Sequence, residues 1–140
     1  MELSAAVDYA RTHHRGVLVT LKRDGRPQLS NITYDLDDSG VVSISITATR
    51  AKYANAARDP RVSLHVTSED FWSYVVLEGD AELLPVAAKP DDDTVEALVA
   101  YYRTLSGEHP DWDDYRAAMV KDQRTVLRFR PTHGYGMTSR

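Results

Sequence analysis

The hydrophobic positions of this chain recur first with the period of a helix and then with that of β-strands. Leu3, Val7 and Ala10 lie three or four residues apart, which predicts a helix over residues 3–14. The next apolar residues form two β-type runs joined by Asp24-Gly25, a dipeptide typical of tight hairpin turns. The chain therefore begins with a helix that is followed by a β-hairpin.

The later pattern extends this sheet and adds further helices. The predicted order is helix, three strands, helix, two strands, two helices and one strand. After the hairpin, strands are expected over residues 41–47, 61–67, 74–84 and 124–130, and helices are expected before residue 59 and over residues 91–105 and 111–121. This order lacks the strand-helix alternation of a doubly wound fold, so it favours an antiparallel sheet that closes on itself.

Length and composition fit one domain. With 140 residues, of which 42% are hydrophobic, the chain is long enough to bury one core, so we expect a single domain over residues 1–140. The formal net charge of −4 argues against binding to nucleic acid, which requires a basic surface. No apolar run approaches the roughly 20 residues that span a bilayer, so we expect a cytoplasmic protein without membrane partners.

The sequence lacks the motifs by which many enzymes carry their own chemistry. It contains no cysteine, no glycine-rich dinucleotide or phosphate loop, and no G-x-S-x-G nucleophile motif. The adjacent His13 and His14 diverge on a helix, so we expect no metal site. The sequence identifies no catalytic residue, and if the protein is an enzyme, its chemistry comes from a cofactor.

Two cations stand where the third strand gives way to a helix. Arg50 and Lys52 are two residues apart, a spacing that lets both side chains converge on one anion in extended or turn geometry. The free N–H groups and the dipole of a helix start also favour an anion, and an arginine fork binds two phosphate oxygens at once. The pattern predicts a phosphate site here; the alternative is a pair of solvated cations.

Several segments together resemble one family. They are the strand "DGRPQLSN", the strand-helix-strand unit "TRAKYANAARDPRVSLHV", the strand "FWSYVVLEGDAEL" and the terminal "HGYG". In this order, with a helical insertion, they resemble the pyridoxamine 5'-phosphate oxidase-like, or flavin reductase-like, split β-barrel family. The resemblance implies a mainly β fold with flanking helices, a split β-barrel that forms a homodimer and holds its cofactor in a groove at the subunit interface.

The resemblance also implies which residues bind the cofactor phosphate. In the family, cations at the start of the helix after the third strand hold this phosphate, and here they correspond to Arg50 and Lys52. The amides of Thr49 and Ala51 are lesser candidates for the same role.

Two further sets of residues follow from the resemblance. The family's second strand lines the ring system of the cofactor, and residues before its fifth strand reach over the cofactor of the partner subunit. On this sequence, the first set is Gln28, Ser30 and Asn31. The second set is Trp72, Ser73 and Tyr74. The alternatives are exposed polar positions for the first set, although Asn31 has the opposite parity, and core or interface packing for the aromatic residues.

The family leaves two cofactors open, FMN and the deazaflavin coenzyme F420. The segments "RPQLSN", "TRAK", "DPR", "WSY", "PDDDTVEAL" and "GEHPDWDDYRAAMV" are similar to the deazaflavin-dependent branch of actinobacterial type. This branch implies an F420H2-dependent reductase that transfers a hydride from the reduced cofactor to an unsaturated, planar organic substrate. The alternatives are an FMN-dependent oxidase or reductase and a non-catalytic protein that carries F420 or flavin.

Overall fold

Strands predominate in this protein, and helices flank them. The computed structural model describes residues 1–138; Ser139 and Arg140, which the predicted domain includes, lie outside the described residues. The helices are α1 Leu3–Arg11, α2 Ala51–Arg58, α3 Asp93–Ser106 and α4 Trp112–Lys121. The strands are β1 Arg15–Leu21, β2 Pro27–Thr33, β3 Asp35–Leu36, β4 Val42–Thr47, β5 Arg61–Thr67, β6 Tyr74–Asp80, β7 Glu82–Leu83, β8 Arg124–Phe129 and β9 His133–Met137. The expected mainly β fold with flanking helices is confirmed.

The strands form two antiparallel sheets that enclose the main core. The larger sheet has the order β2-β1-β5-β6-β9, and the smaller sheet has the order β3-β4-β8-β7. Leu18 and Leu77 of the larger sheet are fully buried, as are Ile44 and Leu127 of the smaller sheet. These residues belong to one hydrophobic cluster, so the inward faces of the two sheets pack on each other.

Two predicted strands are each divided between the two sheets. The second run breaks at Tyr34, so that β2 joins the larger sheet and β3 joins the smaller one. The run predicted over residues 74–84 breaks in the same way at Ala81, between β6 and β7. Tyr34 is fully buried and its hydroxyl donates to the carbonyl of Ala10 at 2.6 Å, which fixes the first bend. The predicted number of strands was therefore wrong, because each run changes sheets at one residue.

The two ends of the described chain meet. The first helix ends at Arg11 rather than at residue 14, and the carbonyl of His14 instead accepts the N–H of Tyr34. The strand predicted as the last, β8, is followed by β9, which pairs with β6 and packs against α1. Gly134 permits this contact, since a Cβ there would lie 2.8 Å from the Cβ of Ala6.

Helices α3 and α4 form a second, smaller core on the smaller sheet. They pack on β8, where Val126 is 1% exposed. Asp92 and Asp111 cap the two helices, because their side chains accept the N–H groups of Val95 and Asp114. Within residues 1–138, no helix has both the length and the apolar character needed to cross a membrane.

Candidate functional site

A cleft of about 400 Å³ opens where the two sheets meet the start of α2. The residues that line it come from β2, β4, β8, α2 and the turn before α2. They are Gln28, Ser30, Ser45, Ile46, Thr47, Arg50, Ala51, Lys52 and Arg124. We call this site the cationic cleft. Its volume lies in the range of small-molecule sites.

The turn from β4 into α2 brings Arg50, Ala51 and Lys52 into the cleft. β4 ends at Thr47, whose carbonyl accepts the N–H of Arg50 at 3.0 Å. Arg50 has an extended backbone with φ −89° and ψ 156°, and it is the residue that caps α2. The N–H groups of Ala51 and Lys52 lie in the first turn of α2, where no intrahelical carbonyl is within reach. Side-chain cations and backbone donors therefore lie in the same place.

The cleft holds positive charge that no neighbouring carboxylate neutralises. Among residues 1–138, no carboxylate lies within 4.0 Å of Arg50, Lys52 or Arg124. Burial lowers the pKa of Lys52, and the charges of Arg50 and Arg124 lower it further. Three mutually repelling cations are suited to binding an anion, because a negative charge stabilises the ionised form of each.

Arg124 is a cleft residue that sequence reasoning missed. It begins β8, and the register of β4 against β8 places it opposite Thr47, which is three residues before Arg50. Its Nη1 lies 3.4 Å from the hydroxyl of Ser45, and its buried Nε has no hydrogen-bond partner in residues 1–138. Spacing along the chain gives no signal for this residue, because only the strand pairing brings it to the cleft.

A hydrogen-bonded chain holds the β2 side of the cleft. The amide of Asn55 donates to the hydroxyl of Thr20 at 3.2 Å, and this hydroxyl donates to Oε1 of Gln28 at 3.0 Å. Nε2 of Gln28 then donates to Oγ of Ser30 at 3.1 Å. Arg58 completes the chain by donating to Oδ1 of Asn55 at 3.1 Å. Because Oγ of Ser30 accepts from Gln28, its own O–H is free to donate into the cleft.

The remaining candidate residues lie elsewhere in this chain. Thr49 is exposed and does not line the cleft. Asn31 lines a different groove with His65, on the outward face of the larger sheet. The ring of Tyr74 lies 5.7 Å from that of His65 on the same outward face. Trp72 is 67% exposed in the turn between β5 and β6. Ser73 is partly buried there.

The β5–β6 turn, residues 68–73, cannot reach the cationic cleft of its own chain. Gln28, which lines the cleft, pairs with Thr20 near one end of β1. His65 pairs with Val17 nearer the other end, and the turn begins three residues beyond His65. The two sites therefore lie about 20 Å apart along the strand direction, since a strand rises about 3.3 Å per residue. Within one chain, the candidate residues form two groups.

A cavity larger than the cationic cleft is a separate site. It measures about 730 Å³ and lies between α3 and the outward face of the smaller sheet. Four carboxylates and two arginines contribute to its wall: Asp35, Asp37, Asp80, Glu82, Arg128 and Arg130. We call it the carboxylate cavity. Its excess of acidic groups makes it a poorer site for an anionic ligand than the smaller cationic cleft.

A family model and several solved structures match this chain. The model described as pyridoxamine 5'-phosphate oxidase matches residues 3–138. A conserved hypothetical protein of Mycobacterium tuberculosis has a TM-score of 0.75 at 24% identity, over 100% of this chain and 86% of that one.

The names of two further solved structures mention different cofactors. A protein named F420 reductase has a TM-score of 0.69 at 23% identity, over 91% of this chain and 94% of that one. A protein of Mesorhizobium loti named as FAD-binding has a TM-score of 0.68 at 18% identity, over 97% of this chain and 92% of that one. At these identities, the structures establish a shared fold.

Proposed function

The chain belongs to the pyridoxamine 5'-phosphate oxidase family, and from this premise we propose that its cationic cleft holds the phosphate of a flavin-type cofactor. The observation that carries the proposal is the convergence of Arg50 and Lys52, with no carboxylate of the described part of the chain within 4.0 Å of either. Arginine binds phosphate oxygens through its fork, and lysine adds a point charge. The free first-turn amides of α2 supply further donors.

The β2 side of the cleft suits the polar part of such a cofactor. Gln28 is oriented by Thr20, and Ser30 presents a free O–H. A flavin or deazaflavin ring carries carbonyl and nitrogen acceptors along one edge, and a positioned hydroxyl donor recognises such an edge. In this proposal, Arg50 and Lys52 bind the phosphate, while Gln28 and Ser30 orient the ring.

Within this class, the proposed cofactor is the deazaflavin F420 and the proposed activity is that of an F420H2-dependent reductase. Two observations support this choice: the sequence resemblance to the deazaflavin branch, and the fold shared with a protein named F420 reductase. A reduced deazaflavin supplies two electrons as a hydride and reacts poorly with oxygen. The chain itself needs to bind and orient the cofactor and an unsaturated, planar substrate.

FMN is the competing cofactor, and one comparison favours it. The fold is also shared with a protein named as FAD-binding, and the cationic cleft has no feature that excludes a flavin phosphate. The deciding experiment is a binding titration of the purified protein with F420 and with FMN. Tighter binding of F420, followed by its oxidation in the presence of conjugated acceptors, supports the proposal. Tighter binding of FMN overturns the choice of cofactor, and F420 binding without turnover indicates a carrier.

A second copy of the chain is the proposed partner. The outward face of the larger sheet exposes Leu29, Tyr135 and Met137, by 59%, 43% and 53%. Apolar surface on a sheet face is typical of protein interfaces. A homodimer through this face would also explain why Trp72 and Asn31 lie away from the cleft of their own chain. Light scattering at micromolar concentration tests this: a monomer that still binds cofactor contradicts the dimer.

A further inference from the structure

Arg124 is held in the cleft by its backbone, and its charge is left without compensation. Its carbonyl accepts the N–H of Ala87 at 2.8 Å, and its strand pairs with β4. The positive charge of its guanidinium opposes the rise that burial causes in the pKa of Tyr101 of α3 and of Tyr115 of α4. The backbone of Arg124 is therefore held in place, and its side chain lines the cleft.

The hydrogen bonds of Arg124 are far fewer than its donors. A guanidinium carries five N–H donors. In residues 1–138, the side chain of Arg124 makes one long contact of 3.4 Å to Ser45, and its buried Nε makes none. Arg11 also has a buried Nε without a partner, but its Nη1 pairs with Asp8 at 3.0 Å. Within the described residues Arg124 has no such ion pair, so its partly buried charge among cations is costly unless an anion binds there.

We propose that Arg124 is a third phosphate-binding residue, and that the cationic cleft takes a phosphate ester with two negative charges within its reach. This inference rests on the proposed function, and it specifies the ligand of the same cleft. Arg50 and Lys52 provide two positive charges at the start of α2, and Arg124 provides a third from β8. Two ligands meet this requirement: a phosphate monoester such as FMN, and the phosphodiester of F420 with the first carboxylate of its tail.

The charge of the cleft also argues against a purely structural role for Arg124. A structural arginine of this kind packs its fork against carboxylates or carbonyls. Among residues 1–138, the hydroxyl of Ser45 is the one group that accepts a hydrogen bond from the guanidinium, and the charged side chains that share the cleft are the cations Arg50 and Lys52. Three cations around one cleft destabilise the free protein and stabilise the complex with a doubly charged anion.

The test compares each cofactor with the same ring system without its phosphate. Dissociation constants are measured for FMN and riboflavin, and for F420 and the same deazaflavin without its phospholactyl-oligoglutamate tail. The phosphate preference is the ratio of constants within each pair, and the pair with the larger preference identifies the source of the phosphate ester. In Arg124→Gln, this preference is expected to fall about 10- to 100-fold in that pair, since a charge-assisted hydrogen bond is lost. Binding of the phosphate-free ring stays unchanged.

Arg128→Gln is the matched control. Arg128 lies on the same face of β8, four residues along, and lines the carboxylate cavity instead of the cleft. Its substitution is expected to leave both ratios unchanged. An Arg124→Gln protein that loses ring and phosphate binding equally, or keeps the ratio of the wild type, overturns the inference and leaves the proposed function intact. If Arg124→Gln does not fold, the ratio in Arg124→Lys decides: a lowered ratio supports the inference, and an unchanged one overturns it.

A wild-type protein that binds neither ring system contradicts the proposed function, and inorganic phosphate then tests Arg124 separately. In that case, phosphate is expected to raise the melting temperature of the wild type and of Arg128→Gln, and to leave that of Arg124→Gln unchanged. A phosphate-induced rise in Arg124→Gln equal to that of the wild type, or no rise in the wild type, overturns the inference as well.

Discussion

The two ends of the outward face of β8 each carry one arginine, yet they form opposite environments. At one end, Arg124 is flanked by Thr47 of β4 and by the backbone of Ala87, and it lies in the cationic cleft. At the other end, Arg128 is flanked on both sides, by Ser43 of β4 and by Glu82 of β7. The two Cα atoms are about 13 Å apart along the strand. The same residue type thus faces cations at one end and carboxylates at the other.

This difference follows from which residues lie beside β8 on the side of β7. β7 pairs with only two residues of β8 and brings Glu82 to Arg128, whereas the chain beyond β7 places the uncharged Ala87 beside Arg124. Directly opposed side chains in a sheet lie close enough to interact. The residue that lies beside β8 at each end, Glu82 or Ala87, therefore decides which arginine has an acidic neighbour and which is available to a ligand.

The largest expected effect comes from removing a cation at the cleft end. Arg50→Ala and Lys52→Ala are each expected to weaken cofactor binding about 10- to 150-fold, because one charge-assisted contact is worth about 1.5–3 kcal/mol. The fold should persist, since Arg50 is exposed and Lys52 is only partly buried. Titration of the cofactor by fluorescence measures the loss, and Arg128→Gln at the other end of β8 is the control. Unchanged affinity in both alanine variants would remove the phosphate site.

A smaller effect is expected from breaking the hydrogen-bonded chain behind the cleft. Thr20→Val leaves Asn55 without an acceptor and Gln28 without a donor, which costs about 1–3 kcal/mol of unfolding free energy. The loosened Gln28 should also weaken cofactor binding about fivefold.

The matched control is Thr125→Val in the smaller sheet. Thr125 is also fully buried, but its hydroxyl donates to the carbonyls of Leu84 and Pro85. This variant should lose stability in denaturant and keep the affinity of the wild type. If both variants weaken binding equally, the hydrogen bonds that link Asn55 to Ser30 do not orient the cofactor-binding residues.

A weaker effect, on pH dependence, follows from the lowered pKa of Lys52. A bound phosphate favours the protonated amine, so the complex keeps a proton that the free protein loses as pH rises. Affinity should therefore fall as the pH rises through the alkaline range towards the ordinary lysine pKa of about 10.4, by less than about tenfold per pH unit. Lys52→Arg keeps its charge and should give a flat profile over the same range. An identical slope in both proteins would assign the pH dependence to another group.

The smallest effect is expected at the carboxylate end. Burial raises the pKa of Asp35, and Asp37 and Asp38 raise it further, so the ionised carboxylate disfavours the fold. Asp35→Asn should stabilise the protein at neutral pH by less than about 0.5 kcal/mol, because solvent screens a partly exposed group. The gain should vanish as the pH falls below the ordinary carboxyl pKa of about 3.9.

Substitution of Asp59 is expected to change the stability of the fold in the opposite direction. Hydrogen bonds from Arg61 lower the pKa of Asp59 to about 2, so its ionised form favours the fold. Asp59→Asn should therefore destabilise the protein at neutral pH, with a difference that disappears as the pH falls towards that value. Urea unfolding at several pH values measures both variants. Equal signs for the two substitutions would contradict this account of the two carboxylates.

The parts of the cleft that the sequence reveals are those encoded over a few neighbouring residues. Arg50 and Lys52 are recognisable because a strand, a turn and a helix start fall within one short stretch. Gln28 and Ser30 share a face because residues two apart in a strand do so. Arg124 is more than 70 residues away, and only the pairing of β4 with β8 brings it to the cleft.

The sheet changes were unpredictable for a related reason. The apolar pattern continues through Tyr34 and Ala81, and the bend at Tyr34 depends on a hydrogen bond to Ala10 of α1. Such a contact between distant elements leaves no period in the sequence. The mainly β fold was predictable, because alternation and turn residues are local, but the division into two sheets was not.

The β5–β6 turn gives the protein a built-in optical reporter. The chain has two tryptophans, and Trp112 is packed among the rings of Tyr102, His109 and Tyr115. Trp72 is two-thirds exposed, so its indole emits from a watery environment. In a Trp112→Phe protein, the emission spectrum would come from Trp72 alone. When another surface covers the turn, this spectrum would shift to shorter wavelength. The covering of the turn could therefore be monitored in real time without a label attached to the protein.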